Sequence, residues 1–565
     1  MRGIKRMTCS KRDLTKLREE SFDVVIVGGG ISGAWLSLHC AQQGYKTALI
    51  DKADYASQTS SASSKLLHGG IRYLQQMQFG KVRESAMERA EYIYAAPHLS
   101  VTVPFLVPTY RDFKRSKFFL NCGMLAYQTL CIGQNSIISS AEQQLPGARS
   151  ISSEQLDKLC DLENEPHTGA VMFNERHMLD SERMVLSIIQ TAQSLGAHAF
   201  NYVSANGFLG NDDNITGVLA KDELSGEEFS INSSLVINAA GPWIDSLNRR
   251  LPNSGSAPCI NGFAVGSHIV TRQISDHAIA ITTKHQSDST LDRGGRHVFI
   301  IPWRGYSLIG TSYDEIDRPS DDLVIESQHV DQLIDAINDG LPSAKLSRSD
   351  IVSGFSGLYP LKTDNIKRTV YQGSGEYQII DHFQSNGVKG LITALGAKFT
   401  TGRKLSELSM KLVDAHFGKK SPVERTKLIG SDYQSYAELR AKKIQQHTPE
   451  YSEATIDHLL MLYGSNIDEF IARIAGDPAL KSTIAEGQSD VLGQVVWAVE
   501  REQAVSLDDV LYRRTSLALL GISDAELERI ATVMATYLGW SDDECSKQLA
   551  ISRKRLFNMR QAISA

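Results

Sequence analysis

The stretch "FDVVIVGGGISGAWLSLHCAQQGYKTALID", residues 22–51, decides the fold. It opens with a short apolar run rich in β-branched side chains, which predicts a buried strand. Gly28, Gly30 and Gly33 then form the pattern G-x-G-x-x-G, and a helical pattern follows. A second predicted strand, "KTALID", ends in Asp51. This order of strand, glycine turn, helix and strand predicts a dinucleotide-binding fold.

Each part of this motif has a physical role. The glycines allow a tight turn, a close approach of a pyrophosphate and close packing of helix on strand. The start of the helix offers unpaired N–H groups and the positive end of its dipole to a phosphate. Asp51 lies where a carboxylate accepts hydrogen bonds from ribose hydroxyls. A glycine turn that binds nothing would leave Asp51 unexplained, but the motif alone does not separate NAD from FAD.

The composition of the whole chain limits the other functions. Its 565 residues predict two or three domains, and 42% hydrophobic with 22% charged residues is typical of a folded soluble protein. A net charge of −6 argues against general nucleic-acid binding. The seven cysteines have no metal-site spacing, so we expect reduced thiols and no metal site. The basic N-terminus lacks the apolar core of a secretory signal, which favours a cytoplasmic protein.

A second short run, "SSKLLHGGIRYLQ" at residues 63–75, combines charged, aromatic and glycine residues. Backbone without side chains at Gly69 and Gly70, beside Arg72 and Tyr73, suits a flat ligand that lies against the chain. A surface turn is the alternative.

Two later segments return to the pattern of a strand that ends in small residues. "SLVINAAGPWIDSL", residues 234–247, predicts a strand that ends before Gly241. "VKGLITALGAKFTTGRKLSE", residues 388–407, predicts a strand, a glycine turn and a helix capped by Thr400 or Thr401. A chain that returns to the dinucleotide fold so late suits an FAD enzyme with an inserted substrate domain, since nicotinamide dehydrogenases more often complete that fold in one block.

Several segments together resemble the FAD-dependent glycerol-3-phosphate dehydrogenases, within the glycine/D-amino-acid oxidase superfamily. They are "VIVGGGISGA", "SSASSKLLHGGIRYL", "APHL", "NAAGPWID", "GSHIV", "IPWRGYSLIGTS" and "GAKFTTGRKLSE". The likeness continues through "YGSNIDEF" and "SLDDVLYRRTSLAL", so it spans Phe22 to about Trp540. "SSKLLHGGIRYL" is the most specific of these segments.

The resemblance implies non-covalent FAD, oxidation of sn-glycerol 3-phosphate to dihydroxyacetone phosphate, and delivery of electrons to a membrane quinone. His268 is the implied general base, while Arg72 and Lys398 are the implied cations for the phosphate or the developing alkoxide. Tyr73 would orient the substrate and Arg368 would add a phosphate contact. The further cofactor contacts that it implies are Ser61, Ser63, Lys65, His68, Gly69, Gly70, Gly241, Gly396, Lys398 and Thr400.

These residues also have ordinary structural roles to weigh. A single histidine in a strand is usually a satisfied structural residue, and Arg72 or Lys398 could form surface ion pairs. Their glycine neighbours favour the functional interpretation. His68 is expected to support the loop or FAD rather than perform chemistry.

The chain departs from the family at two positions. Tyr359 stands where the family usually has an arginine, and Val265 stands where it usually has a lysine. Loss of one charge-assisted hydrogen bond to a phosphate costs about 1.5–3 kcal/mol. Either Lys362, Arg304 or another cation compensates, or the substrate is not glycerol 3-phosphate.

The predicted fold class is α/β. It has an FAD-binding Rossmann-like domain of the glutathione-reductase type, an inserted antiparallel β substrate domain and a C-terminal helical domain. The oxidoreductase part is expected over residues 22–430. Its FAD-binding segments are placed at about 22–108, 165–260 and 350–415, and its substrate domain mainly at 261–349. A separate helical cap is expected over 431–565.

A basic run precedes an apolar, aromatic-rich segment at residues 111–130. Arg111, Lys114, Arg115 and Lys117 beside such a segment suit the headgroup boundary of a bilayer, while core or oligomer packing is the alternative. We therefore expect a cytoplasmic protein with peripheral membrane contact, and leave open whether it is a homodimer.

Three functions remain open at this point. The leading one is a flavin dehydrogenase of glycerol 3-phosphate that passes electrons to quinone. The second is a flavoenzyme of the same superfamily that acts on another small hydroxy or amino substrate, with oxygen as an alternative acceptor. The third is a membrane-associated FAD-binding protein without turnover.

Overall fold

The computed structural model describes residues 12–160, 166–251, 258–282, 297–361, 376–419 and 422–565. Its strands are β1 Ser21–Val27, β2 Thr47–Ile50, β3 Leu66–Leu67, β4 Ser100–Thr109, β5 Arg149–Ile151, β6 Gly169–Met178, β7 His198–Phe200, β8 Val203–Asn211, β9 Asn214–Asp222, β10 Glu228–Asn238, β11 Gly262–Arg272, β12 Ala278–Thr282, β13 His297–Trp303, β14 Tyr306–Gly310, β15 Asp314–Ile316, β16 Ile351–Leu361, β17 Gln378–Asp381 and β18 Leu391–Leu395.

The helices fill the connections between these strands and the C-terminal quarter of the chain. They are α1 Thr15–Glu19, α2 Ile31–Gln42, α3 Ile71–Gln75, α4 Phe79–Ala95, α5 Lys117–Leu130, α6 Gln134–Ile137, α7 Ser153–Asp157, α8 Ser181–Ser194, α9 Ile244–Asn248, α10 Ser327–Gly340, α11 His382–Asn386, α12 Gly402–Phe417, α13 Tyr436–His447, α14 Glu453–Tyr463, α15 Ile467–Ile474, α16 Gly493–Arg501, α17 Leu507–Asp509, α18 Leu517–Leu520, α19 Asp524–Leu538 and α20 Asp542–Ser564.

The first sheet is the predicted dinucleotide fold. β1 lies between β10 and β2, and all three run parallel, with β18 and β7 parallel at the next positions. Both β1 and β2 are buried, as their apolar runs predict. α2 packs on α8 and α12 and shares one core with them, which includes Trp35, Ile188 and Leu405. The strand–turn–helix–strand prediction is confirmed.

The second sheet has ten strands and is antiparallel except where β12 runs parallel to β4. β11 pairs with β14 on one side and with β16 on the other. Arg304 and Gly305 connect β13 to β14, and both take positive φ, as the type I′ turn of a two-residue hairpin requires. β4, β6 and β16 belong to this second sheet, although most of their residues lie within the segments expected to form the FAD-binding part.

The C-terminal part is helical, as predicted, and is built from α13 to α20. It is less separate than the sequence suggested. Leu459, Phe470 and Trp497 of this part share one hydrophobic core with Ile269 and Leu333 of the second sheet and α10. The helical part therefore folds onto the rest of the chain through a continuous apolar interface.

Within the segment at 111–130, residues 117–130 form helix α5, which begins after the cap residue Ser116. Leu120, Met124 and Tyr127 on its inner face are buried. Phe118 and Leu125 on its outer face are 73% and 67% exposed. The structure thus combines core packing with an exposed apolar face. Within the residues that the structure describes, no helix is both long and apolar enough to span a bilayer.

Candidate cofactor and substrate site

The glycine turn after β1 closes against its neighbours so tightly that side chains are excluded. A Cβ at Gly28 would lie 2.5 Å from the Ala239 carbonyl oxygen, and Gly28 has φ +109°. A Cβ at Gly33 would lie 1.8 Å from the Gly28 carbonyl oxygen. Gly30, the residue before α2, has no side chain that could cap this helix, and Ser60 Oγ accepts a hydrogen bond from Ile31 N at its start. The backbone around Gly30 and the positive end of the α2 dipole can therefore approach a phosphate closely.

Asp51 lies beside this turn at the end of β2. Its Oδ2 accepts a hydrogen bond from Gly29 N at 2.6 Å, and its Oδ1 accepts one from Ala53 N at 2.9 Å. Burial raises the pKa of this carboxyl to about 6. A carboxylate has about four acceptor positions, so two remain for the hydroxyls of a ribose. The residues at this edge of the sheet fit a dinucleotide.

The other parallel strands bring their small residues to the same edge. Gly241, with φ +54°, follows β10, and Gly396 follows β18. A Cβ at Gly396 would lie 2.6 Å from Ser32 Oγ in the first turn of α2. Thr401 is the residue before α12, which confirms the predicted start of that helix, although its side chain makes no capping hydrogen bond. Thr400 is buried beside it.

The serine-rich loop before β3 lies over the start of α2. Ser60 Oγ accepts a hydrogen bond from Ile31 N at 3.0 Å. Ser61 Oγ donates to Gln58 O at 2.8 Å, and Ser63 Oγ accepts from Lys65 N at 3.1 Å. Ser61 and Ser63 therefore hold the loop in shape, and their contact with a cofactor remains a prediction.

Lys65 is the most buried residue of this loop. Its Nζ lies 2.7 Å and 2.8 Å from the two carboxylate oxygens of Glu182, and both side chains are almost fully buried. This ion pair ties the loop to the first turn of α8. The Lys65 ammonium thus has a structural partner, and its contact with the cofactor stays a prediction.

The turn at Gly69 and Gly70 has two steric reasons for its glycines. A Cβ at Gly69 would lie 2.0 Å from Tyr127 Oη, and Gly70 takes the left-handed conformation with φ +78°. Helix α3 begins directly afterwards and carries Arg72 and Tyr73. Packing within the protein already requires the first glycine, and a flavin contact at this turn remains a prediction.

Three of the predicted substrate residues meet at this turn. Tyr73 is 1% exposed, and Lys398 Nζ lies 4.3 Å from the centre of its ring. The guanidinium carbon of Arg72 lies 5.5 Å from the same ring. Lys398 Nζ also donates to Ser85 Oγ at 3.3 Å. Two cations from distant parts of the chain thus converge around one buried phenol ring.

His68 supports this turn without adding charge. Its Nδ1 accepts a hydrogen bond from Gly70 N at 3.2 Å. Burial, together with the nearby charges of Lys398, Arg72 and Arg89, lowers the pKa of His68 to about 3. A neutral histidine among three cations marks an electropositive environment, which suits an anionic ligand.

His268 is held rigidly on β11. Its ring stacks on Phe355 of β16, with centroids 5.1 Å apart and planes at 13°. A Cβ at Gly310 would lie 2.1 Å from the His268 ring, so β14 has a glycine there. His268 Nε2 lies 2.9 Å from Ser64 Oγ. Sequence reasoning missed Ser64, because a run of serines does not indicate which hydroxyl meets the histidine.

The two departures from the family lie on opposite faces of β11 and β16. Tyr359 is paired with Ala264, and Val265 is paired with Leu358. Because side chains alternate along a strand, Tyr359 shares the face of His268, whereas Val265 points to the other face. Val265 packs there in an apolar cluster with Leu358. Only Tyr359 therefore bears on the surroundings of His268.

Arg304 does not supply the missing cation. Its Nη1 donates to Thr515 O at 2.8 Å, and its Nη2 donates to Asp490 Oδ2 at 2.9 Å. It therefore binds the helical part of the chain. Arg368 and Lys362 lie outside the described residues.

Two family matches cover most of the chain. Residues 23–403 match the family described as FAD dependent oxidoreductase. Residues 421–545 match the C-terminal domain of alpha-glycerophosphate oxidase. The glycine-lined edge of the parallel sheet and the first of these matches define the class of protein as an FAD-dependent oxidoreductase.

Individual relatives narrow this class. A glycerol-3-phosphate dehydrogenase from Synechocystis sp. is 32% identical over 95% of this chain and 97% of that protein. The mitochondrial glycerol-3-phosphate dehydrogenase of Homo sapiens is 29% identical over 96% of this chain and 74% of that protein. The solved structure of glycerol-3-phosphate dehydrogenase from Bacillus halodurans, complexed with FAD, has a TM-score of 0.75 at 25% identity and 97% coverage of both chains.

The chain belongs to the FAD-dependent glycerol-3-phosphate dehydrogenase family. The resemblance seen in the sequence is confirmed, and FAD is the cofactor. The turn at Gly28, the start of α2 and Asp51 are the residues that fit it.

Proposed function

We propose that this protein oxidises sn-glycerol 3-phosphate to dihydroxyacetone phosphate. The observation that supports this most is the convergence of Arg72 and Lys398 around the buried ring of Tyr73. A guanidinium and an ammonium that both lie beside the Tyr73 ring, with a neutral His68 nearby, suit a phosphate group. The names of the relatives agree with that substrate.

Each residue of the site has one role in this proposed reaction. Arg72 and Lys398 bind the phosphate, and Tyr73 fixes the orientation of the carbon chain. His268 accepts the proton of the secondary hydroxyl at Nε2, the nitrogen that now meets Ser64 Oγ. FAD, when bound, would supply the acceptor for the hydride that leaves the carbon bearing this hydroxyl. Phe355 and Gly310 keep the imidazole in one orientation throughout.

An anaerobic titration of the purified yellow protein tests this proposal. We expect sn-glycerol 3-phosphate to bleach the flavin absorption band, while glycerol at the same concentration leaves it unchanged because the cations have no phosphate to bind. Bleaching by another small hydroxy or amino compound, with no response to glycerol 3-phosphate, would contradict the substrate assignment and leave the flavin chemistry intact.

That second outcome has one observation in its favour, namely Tyr359 on the face of His268. The variant Tyr359→Arg distinguishes a site for glycerol 3-phosphate from a site for another small hydroxy or amino compound. If the site binds a phosphate with one cation fewer, the new guanidinium should lower the KM for glycerol 3-phosphate by up to about tenfold, since a fork of two hydrogen bonds replaces one. If Tyr359 serves another ligand, the added charge should slow turnover of that ligand.

We further propose that the outer face of α5 contacts a membrane that holds the quinone acceptor. Phe113 and Phe118 are 71% and 73% exposed, and Leu125 and Ile132 are 67% and 66% exposed. The cations of the preceding run lie beside these side chains in the chain: Arg111, Lys114, Arg115 and Lys117. Exposed aromatic and aliphatic side chains next to basic residues suit the headgroup boundary.

A further inference from the structure

We infer that Glu175 is a positioning residue for the substrate-binding turn, and that it acts through the backbone N–H of Gly69. The inference rests on the proposed function, because it takes Arg72, three residues further on, as a phosphate contact. Glu175 lies in the middle of β6, about a hundred residues away along the chain. Sequence reasoning gave no indication of it.

Glu175 binds three partners at once, all of them buried. Its Oε2 accepts a hydrogen bond from Gly69 N at 2.9 Å and a second, shorter one from Arg89 Nη1. Its Oε1 accepts one from Tyr127 Oη at 3.3 Å. Glu175 is 2% exposed, Arg89 is 1% exposed and Tyr127 is 4% exposed. The carboxylate thus joins β6, α4 and α5 to the glycine turn.

The geometry differs from that of an ordinary buried ion pair. Arginine and carboxylate often meet through two parallel hydrogen bonds, but here the oxygen that binds Arg89 also binds a backbone amide. A Cβ at Gly69 would lie 2.0 Å from Tyr127 Oη and 2.7 Å from Arg89 Nη1. The side chains of Glu175, Arg89 and Tyr127 therefore reach the backbone of residue 69 directly, and they can do so because glycine has no Cβ.

The backbone of the turn is fixed at two successive residues. Gly69 N donates to Glu175, and Gly70 N donates to His68 Nδ1. Helix α3 starts at the next residue, so these two hydrogen bonds set the direction in which Arg72 leaves the turn. A charged acceptor binds an amide more strongly than a neutral one does, so removal of the charge should loosen the turn that carries Arg72 and weaken its contact with the phosphate.

Glu175→Gln tests the inference, since it keeps the shape and removes the charge. We expect the KM for sn-glycerol 3-phosphate to rise about tenfold, with kcat changed less than threefold and FAD content unchanged. The dissociation constant of inorganic phosphate, measured by perturbation of the flavin spectrum, should rise by a similar factor. A residue that only supports the fold would lower Tm without changing these two quantities.

Glu502→Gln is the matched control. Glu502 is also 2% exposed and pairs with a buried arginine, Arg183, but at the contact with the helical part. We expect it to lower Tm as much as Glu175→Gln does, with KM unchanged. Equal KM values for the two variants would overturn the inference.

Two further variants keep the test decisive. Tyr127→Phe retains the pair of Glu175 and Arg89 and removes one hydroxyl, so it should fold and raise KM about twofold to threefold even if Glu175→Gln does not fold. An unchanged KM for Tyr127→Phe would then contradict the inference.

Arg72→Gln separates the positioning role of Glu175 from the proposed phosphate contact of Arg72. If it raises KM while Glu175→Gln does not, only the positioning role fails, and if neither variant raises KM, the phosphate role of Arg72 fails as well.

Discussion

At the scale of single residues, burial determines the pH at which the Asp51 carboxyl loses its proton. Its carboxyl has a pKa raised to about 6 by burial, and the backbone N–H groups of Gly29 and Ala53 already bind it. Ribose hydroxyls donate hydrogen bonds, so they bind the carboxylate better than the neutral acid. We therefore expect FAD to bind more tightly when Asp51 is deprotonated.

The resulting prediction concerns the affinity for FAD. Because the raised pKa lies near 6, the carboxylate is fully present above that pH and is lost as the pH falls through it. We expect the dissociation constant of FAD to rise up to ~10-fold between pH 8 and pH 5. Fluorescence titration of the apoprotein measures this dependence. Asp51→Asn should bind FAD more weakly at pH 8 and show a flat profile, and an equally steep profile in this variant would assign the titration to another group.

At the scale of elements, the sequence predicted the strands and helices that depend mainly on interactions between residues close together in the chain. β1, α2 and β2 follow from one apolar run, three glycines and a helical period, so the sequence alone located them. The sheet to which β4, β6 and β16 belong depends on pairing between distant strands, which no local pattern contains. In the site, the motif residues were predicted, whereas Ser64 and Glu175 were not, because only the fold brings them to their partners.

Helix α5 carries the prediction that belongs to this scale. Its inner residues pack in the same core as Tyr73, so the helix is anchored, and its outer face can bind a surface without unfolding. Replacement of Arg111, Lys114, Arg115 and Lys117 by Gln should weaken binding to anionic vesicles, since each basic residue near such a surface contributes about 1 kcal/mol. Vesicle sedimentation measures the change.

The control for this prediction uses catalysis away from the membrane. Turnover with a soluble electron acceptor should stay the same in the quadruple variant, because none of the four residues belongs to the site. Phe118→Ser with Leu125→Ser should also reduce vesicle binding, through loss of apolar contact, and should do so on neutral lipids as well. Undiminished vesicle binding in both variants would contradict the membrane contact of α5.

At the scale of the whole molecule, buried charged pairs join the helical part to the dinucleotide fold, in addition to its apolar contact with the second sheet. Asp54 follows β2 and is fully buried. It accepts hydrogen bonds from Arg514 at 2.7 Å and 3.0 Å, and it also pairs with Arg513 of the same helical part. The two guanidinium groups hold the pKa of Asp54 well below its usual range, although burial alone would raise it.

Asp54→Asn should therefore destabilise the protein as one unit. It leaves two buried arginines without their shared carboxylate, and loss of one partner from a buried ion pair costs about 3–5 kcal/mol. For a chain of this length that corresponds to a fall in Tm of about 3 °C. Because the pKa of Asp54 is lowered in the folded state, its stabilisation is present above about pH 4 and is lost as the pH falls further. The difference in Tm between the two proteins should therefore shrink in acid.

Asp524→Asn provides the comparison, because Asp524 makes the same kind of pair with Arg553 on the surface. It should leave Tm nearly unchanged, since solvent screens exposed pairs. Calorimetry of the FAD-bound protein should show a single transition for both variants, because Leu459, Phe470 and Trp497 of the helical part belong to the core that also contains Ile269 of the second sheet. A separate, earlier transition of the helical part in Asp54→Asn would show instead that this charge cluster, and not the shared core, couples the two parts.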